Sequence, residues 1–200
     1  MLAALLVSAG ALLGFIVLGY SVVSGETTSL DGAVQRWMLA HQVPLARTIS
    51  LWISTVGDVT SMRVVAIVGA GWLWFRGRGV VAASMLFVPI VADWIFHVAK
   101  RVYARARPVG LGAGVDSSYA FPSGHATVSA AVCAMLAYVL MREGVVSRHT
   151  ALAIALIVPL LVGASRVYLN VHWATDVLGG WCAGLFIASL AIALSDRRRA

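Results

Sequence analysis

Charge is scarce in this chain: 12% of its 200 residues are Asp, Glu, Lys or Arg, while 60% are apolar. A soluble domain carries about a quarter charged residues, so this composition and a mean hydropathy of +0.90 exclude one. Acids are the rarer sign, eight against fifteen Lys and Arg, which leaves a net charge of +7. Lysine is nearly missing: Lys100 is the single one among fourteen arginines. There are only two cysteines, Cys133 and Cys182, and both lie inside apolar runs, which reads as packing rather than as a disulfide or a thiolate metal pair. No solvated basic domain exists to carry the surplus charge, so nucleic acid is not an expected partner. Arginines near lipid headgroups or in an anion site account for it better. No repeat and no second domain is visible, and residues 1–200 are expected to form one domain.

What the chain does have is long apolar runs. Leu2 to Val23 is uninterrupted, exceeds a signal-peptide core and lacks its basic flank, which predicts a first transmembrane helix. From Glu26 to Asp58 the sequence turns mixed. Leu30, Val34, Trp37, Met38 and His41 recur at helical spacing, predicting a short amphipathic helix at the interface, with a second segment around Ile49 to Val56 beyond Pro44. Trp37 and Trp52 suit an interfacial aromatic belt. Five further spans are expected at Val59 to Phe75, Val80 to Ala99, about Ser123 to Met141, Thr150 to Leu169 and Ala174 to Leu194, with Arg63 snorkelling from the end of its helix. Lys100 to Phe121 is basic and glycine-rich and reads as a loop. The fold class is therefore an all-α integral membrane protein, a six-transmembrane-helix bundle with both termini on one side.

Six spans assign the basic residues to two faces. Arg76, Arg78, Arg142, Arg148 and Arg197 to Arg199 share the side of the termini; Arg36, Arg47, Arg63, Lys100, Arg101, Arg105 and Arg107 lie opposite. Seven against seven leaves the orientation undecided by the positive-inside rule, unless part of the second set belongs to an anion site.

The same topology gathers chemistry. The third span ends at Lys100, the fourth begins at Ser123, the fifth ends near Arg166 and the sixth begins after His172, all on one face. Lys100, Arg107, Ser123, His125, Arg166, His172 and Asp176 are thereby brought to one membrane surface, where ionisable groups are costly unless paired or functional. His172 and Asp176 are four apart, so a helical turn lets the carboxylate accept from the imidazole and leaves the other ring nitrogen outward. Such a pair is also a common way to satisfy a helix end. Lys100, Arg107 and Arg166 are three cations for which only Asp93, Asp116 and Asp176 offer acids, and Asp176 is already committed to His172. A phosphoryl group meets that demand through arginine forks and an ammonium. Pro122, Ser123, Gly124 and His125 open a helix whose free N–H groups favour an anion. Cations at this density repel a divalent ion, so no metal and no cofactor is expected.

Taken together, Lys100 with Arg107-Pro108, then Pro122-Ser123-Gly124-His125, then Ser165-Arg166 with His172 and Asp176 resemble the three-part signature of the type 2 phosphatidic acid phosphatase (PAP2) superfamily. Each element matches, and the six-span layout agrees; the first hundred residues resemble the family only in general plan. The resemblance implies a membrane lipid phosphatase of metal-independent mechanism. His172 would attack phosphorus to form a phosphohistidine, Asp176 would hold its ring, and His125 would protonate the leaving oxygen and then activate water. Lys100, Arg107, Arg166, Ser123 and the Gly124 amide would bind the phosphoryl oxygens.

The substrate implied is a membrane lipid entering laterally: phosphatidylglycerophosphate, phosphatidate, a prenyl diphosphate such as undecaprenyl diphosphate, or lipid A. The setting implied is the bacterial cytoplasmic membrane, with the site facing outward. A phosphotransferase using the same phosphohistidine stays open. An anion transporter or channel is the rival of a different class, disfavoured because no pair of broken helices or inverted repeat is visible. Asp93 and His97 share a helix face with Lys100, where they either support the site from below or satisfy one another; Arg101 and Arg105 either draw an anionic headgroup inward or merely face it.

Overall fold

The computed structural model describes residues 1–109 and 118–197; Asp116, Arg198 and Arg199 lie outside the described residues. Among the described residues eight α-helices follow in order: α1 (Leu2–Val23), α2 (Thr28–Ala40), α3 (Pro44–Val56), α4 (Val59–Phe75), α5 (Gly79–Tyr103), α6 (Gly124–Arg142), α7 (Arg148–Tyr168) and α8 (Ala174–Arg197). Their starts follow local chemistry. Pro44 opens α3, where a missing N–H costs nothing. Asp58 caps α4 by accepting from the Thr60 amide at 2.9 Å, and Ser147 caps α7 by accepting from the Thr150 amide at 3.1 Å.

Helices α1, α5, α6, α7 and α8 are each long and apolar enough to cross a bilayer. The sixth span has a different construction from the expected one. Helix α4 has 17 residues, short of the ~20 that cross a hydrocarbon core, and qualifies only when joined to α3 across a 45° bend. The bend falls at Gly57 and Asp58. In the next span, α5 runs on through Lys100 to Tyr103, so the expected loop starts later and Lys100 is a helical, buried residue.

Helix α6 stands at the centre. Its Val128, Val132, Met135 and Val139 pack with Met62 and Leu73 of α4, Met85 and Phe96 of α5, and Ile187 of α8. Against α8 the approach is close enough to require glycine. A Cβ on Gly184 would collide with the Thr127 carbonyl oxygen, and one on Gly180 would come within 2.8 Å of the Ser123 carbonyl oxygen. Small residues at a helix crossing let backbones meet, the way membrane helices associate where lipid removes the hydrophobic drive. The consequence is positional: the first turn of α6 is pressed against the first turns of α8.

Helix α2 turns differently from the sequence expectation. Leu30 and Trp37 are exposed and His41 stacks on Trp37 at 4.4 Å, while Asp31, Val34 and Met38 face the bundle. The hydrophobic periodicity mixed two faces, one for lipid and one for protein, because in a membrane both are apolar. Trp37 and Trp52 are both exposed. Arg63 does not snorkel freely: its guanidinium lies 3.1 Å from Asp93, which His97 also approaches at 3.6 Å. Among the described residues, Asp93 is held by both His97 and Arg63.

Candidate active site

His172 sits in the short connection between α7 and α8, 3% exposed. Its Nδ1 lies 3.3 Å from Asp176 Oδ2, one helical turn on, and its Nε2 lies 3.3 Å from Arg107 Nη1. A guanidinium can only donate, so Nε2 presents its lone pair and the ring proton is on Nδ1, facing the carboxylate. Burial first, and then the Arg107 and Arg166 cations, push the imidazole down to about 4 against the pull of Asp176. At neutral pH the ring is uncharged, with a free lone pair aimed at a cation.

Asp176 is fully buried and more heavily used than the sequence suggested. Besides His172 it accepts from the Trp173 amide at 2.8 Å and from Arg105 Nη1 at 2.6 Å. It is therefore shared rather than committed to His172 alone. Its backbone carbonyl accepts from the Ser123 amide at 2.9 Å, which ties the start of α6 to the start of α8.

Arg107 donates from Nε to the Ser118 carbonyl at 2.8 Å, from Nη1 to the Val171 carbonyl at 2.7 Å and from Nη2 to Ser118 Oγ at 2.9 Å. Lys100 Nζ also donates to Ser118 Oγ, at 3.1 Å, and to the Tyr119 carbonyl. One oxygen atom thus receives both cations, the arrangement a phosphoryl oxygen would ask of them. Arg166, at the end of α7, donates to Ser54 of α3 and interacts electrostatically with both His172 and His125.

Ser123 and Gly124 are buried at the start of α6. The Ser123 hydroxyl faces the Ala126 amide of its own helix at 3.5 Å, a weak cap. His125, one residue on, has its Nε2 3.3 Å from Asp58 Oδ1. The eight residues singled out in the sequence therefore occupy one region: His172 with Asp176 and Arg107, Arg107 with Lys100 through Ser118, Ser123 with Asp176, and Arg166 within electrostatic reach of both histidines.

Sequence reasoning missed Asp58, Ser54, Ser118 and Asp31, and it set Arg105 against a lipid headgroup where the structure sets it between Asp31 and Asp176. Asp58 had a signal: a Gly-Asp step before an apolar run marks a helix cap. Ser54 and Asp31 had none, because their partners lie 112 and 144 residues away, and Ser118 had none because it sits in a loop without periodicity.

The PAP2 superfamily model matches residues 81–200. The chain belongs to the PAP2 superfamily. It is 30% identical over 187 residues to phosphatidylglycerophosphatase B of Bacillus subtilis, covering 92% of each chain. It is 28% identical to an undecaprenyl-diphosphatase of Sulfolobus acidocaldarius, over 62% of this chain and 60% of that one. The crystal structure of a transmembrane PAP2 type phosphatidylglycerolphosphate phosphatase from Bacillus subtilis superposes with a TM-score of 0.87 at 29% identity, covering 95% of this chain and 96% of the other. This PAP2 protein is accordingly a multi-pass membrane enzyme, a hydrolase acting on lipid phosphates or diphosphates. The matched segment holds all eight residues expected at the site. Asp31, Ser54 and Asp58 precede it, so the amino-terminal helices add contacts that the family segment does not contain.

Proposed function

We propose that this enzyme hydrolyses phosphatidylglycerophosphate through a phosphohistidine on His172, at the extracytoplasmic face of the membrane. The observation that carries the reading is the placement of His172, with Asp176 on Nδ1 and Arg107 on Nε2. In the first half-reaction Nε2 attacks phosphorus as the bond to the lipid oxygen breaks, and that oxygen takes a proton from His125. In the second, His125 removes a proton from water, whose oxygen bonds phosphorus as the nitrogen–phosphorus bond breaks. Inorganic phosphate leaves and the ring returns neutral. Asp58 is partly exposed and lies 3.3 Å from His125, so it links that histidine to bulk water between the half-reactions.

Lys100, Arg107 and Arg166 bind the phosphoryl oxygens, joined by the Ser123 hydroxyl and the Gly124 amide at the start of α6. These groups neutralise the charge that spreads over the equatorial oxygens in the transition state, the task a metal performs in other phosphoryl transfers. EDTA is expected to leave the rate unchanged. The glycerophospholipid substrate is favoured by the likeness to phosphatidylglycerophosphatase B along 92% of both chains. A prenyl diphosphate is the second reading, supported by the undecaprenyl-diphosphatase likeness over 62% of the chain.

The outward orientation has support in the charges. Lys100, Arg105 and Arg107 point into the site, which leaves Arg36, Arg47, Arg63 and Arg101 on that face against Arg76, Arg78, Arg142, Arg148 and Arg197 opposite among the described residues. The deciding experiment is phosphate release by purified protein from phosphatidylglycerophosphate, phosphatidate and undecaprenyl diphosphate in competition. His172→Ala is expected to abolish release while protein yield and monodispersity in detergent persist. Activity within tenfold of wild type would overturn the nucleophile assignment.

A further inference from the structure

Helix α2 has an unusual anchor. Among its thirteen residues the buried one is a carboxylate, Asp31, at 2% exposure. Asp31 Oδ1 accepts from the Thr175 amide at 3.0 Å, and Oδ2 accepts from the Thr175 hydroxyl at 2.6 Å and from Arg105 Nη2 at 2.5 Å. The other terminal nitrogen of the same guanidinium, Nη1, donates to Asp176 Oδ1 at 2.6 Å. Arg105 is itself 14% exposed and lies over the Trp173 ring at 5.5 Å. The result is a continuous chain, buried at Asp31, Asp176 and His172 and half-buried at Arg105 between them.

Stability alone does not account for this bridge. A buried ion pair is often no more stabilising than well-packed apolar residues of the same volume, and an interfacial helix is docked more simply by leucine. Charge accounts for it. Paired with an Arg105 that had no second acid, Asp176 would be neutralised and would offer little to an imidazolium on His172. Asp31 takes up the other half of the guanidinium. The two carboxylates and one guanidinium then sum to one negative charge beside Nδ1, which the charge gained by His172 on phosphorylation cancels.

Resting on the phosphohistidine reading above, we propose that Asp31 and Arg105 are positioning residues for the reaction: they orient Asp176, keep its negative charge available to His172, and make the interfacial helix α2 part of the catalytic apparatus. Arg105 therefore faces inward to a carboxylate and is not a headgroup ligand.

The test is Asp31→Asn, which keeps shape and removes the second negative charge, assayed as purified protein on phosphatidylglycerophosphate. A misdirected catalytic group costs on the order of 10- to 100-fold in rate. We expect kcat per folded molecule to fall by that much, KM to stay within about threefold, and the burst of phosphoenzyme in rapid-quench single turnovers to slow in parallel. A double variant, Asp31→Asn with Arg105→Gln, restores the net charge and is expected to recover part of the loss. A merely structural role predicts the reverse pattern: a lower melting temperature, kcat per folded molecule within twofold of wild type, and a double variant worse than either single one. That pattern overturns the proposal. Should Asp31→Asn fail to fold, Arg105→Lys decides, since an ammonium keeps the charge and loses the two-sided fork; wild-type kcat in that variant overturns it equally. Activity surviving in His172→Ala would instead refute the underlying mechanism, so the two failures are distinguishable.

Discussion

Arg107 uses every nitrogen of its guanidinium. Nε and Nη2 hold Ser118, while Nη1 holds the Val171 carbonyl and points at His172 Nε2. This fork fixes the cation at the atom where the nitrogen–phosphorus bond is proposed to form. Lysine in its place could occupy one of these positions and would leave carbonyls without donors. Arg107→Lys is therefore expected to lower kcat by roughly 100-fold or more, the scale of losing a fixed transition-state donor, with secondary structure unchanged by circular dichroism. A loss below about fivefold would argue that charge, not geometry, is what Arg107 supplies. At this scale the sequence was informative where chemistry is local. His172 and Asp176, four apart at a helix start, meet as their spacing requires. Asp58 announced itself only as a helix cap and Asp31 not at all, because nothing in their neighbourhoods reports a partner 67 or 144 residues away.

The element that holds the site together is the α6–α8 crossing. Ser123 reaches Asp176 only because Gly180 and Gly184 let two backbones touch, and the atoms a side chain would strike are carbonyl oxygens that cannot rotate aside. Gly184→Val is expected to cost on the order of 1–3 kcal/mol as overpacking, lowering the melting temperature and the activity together. Gly71→Ala on α4, where a Cβ meets nothing within 4 Å, is the matching control and should change neither. If Gly184→Val were fully active at wild-type stability, close crossing would not be what sets the site. The apolar runs announced these helices to within a few residues. They did not announce which faces meet, since lipid and protein reward the same side chains.

For the whole molecule the two faces differ in how their cations are employed. On the side of the termini, Arg76 and Arg78 pair with the half-buried Glu143 at 3.5 and 3.1 Å, and Arg142 pairs with Asp196, a belt between helices rather than a site. On the opposite side Lys100, Arg105, Arg107 and Arg166 turn inward. An outward-facing site predicts that, in intact cells, a membrane-impermeant maleimide labels a cysteine placed at the exposed Arg101 and spares one at the exposed Arg148, in a background with Cys133 and Cys182 replaced by alanine. The opposite labelling would invert the orientation.

The sequence by itself determined the membrane class, the five long apolar helices and the set of residues expected at one end of the bundle, because hydropathy and helical periodicity act over short stretches and the order of the helices fixes which ends lie together. Only the tertiary structure decided that Asp176 answers to Arg105 as well as to His172, that Asp58 stands beside His125, and that α2 brings a buried carboxylate against Arg105. Those are contacts across tens of residues, fixed by how closely backbones pack, and packing depends on all the helices at once.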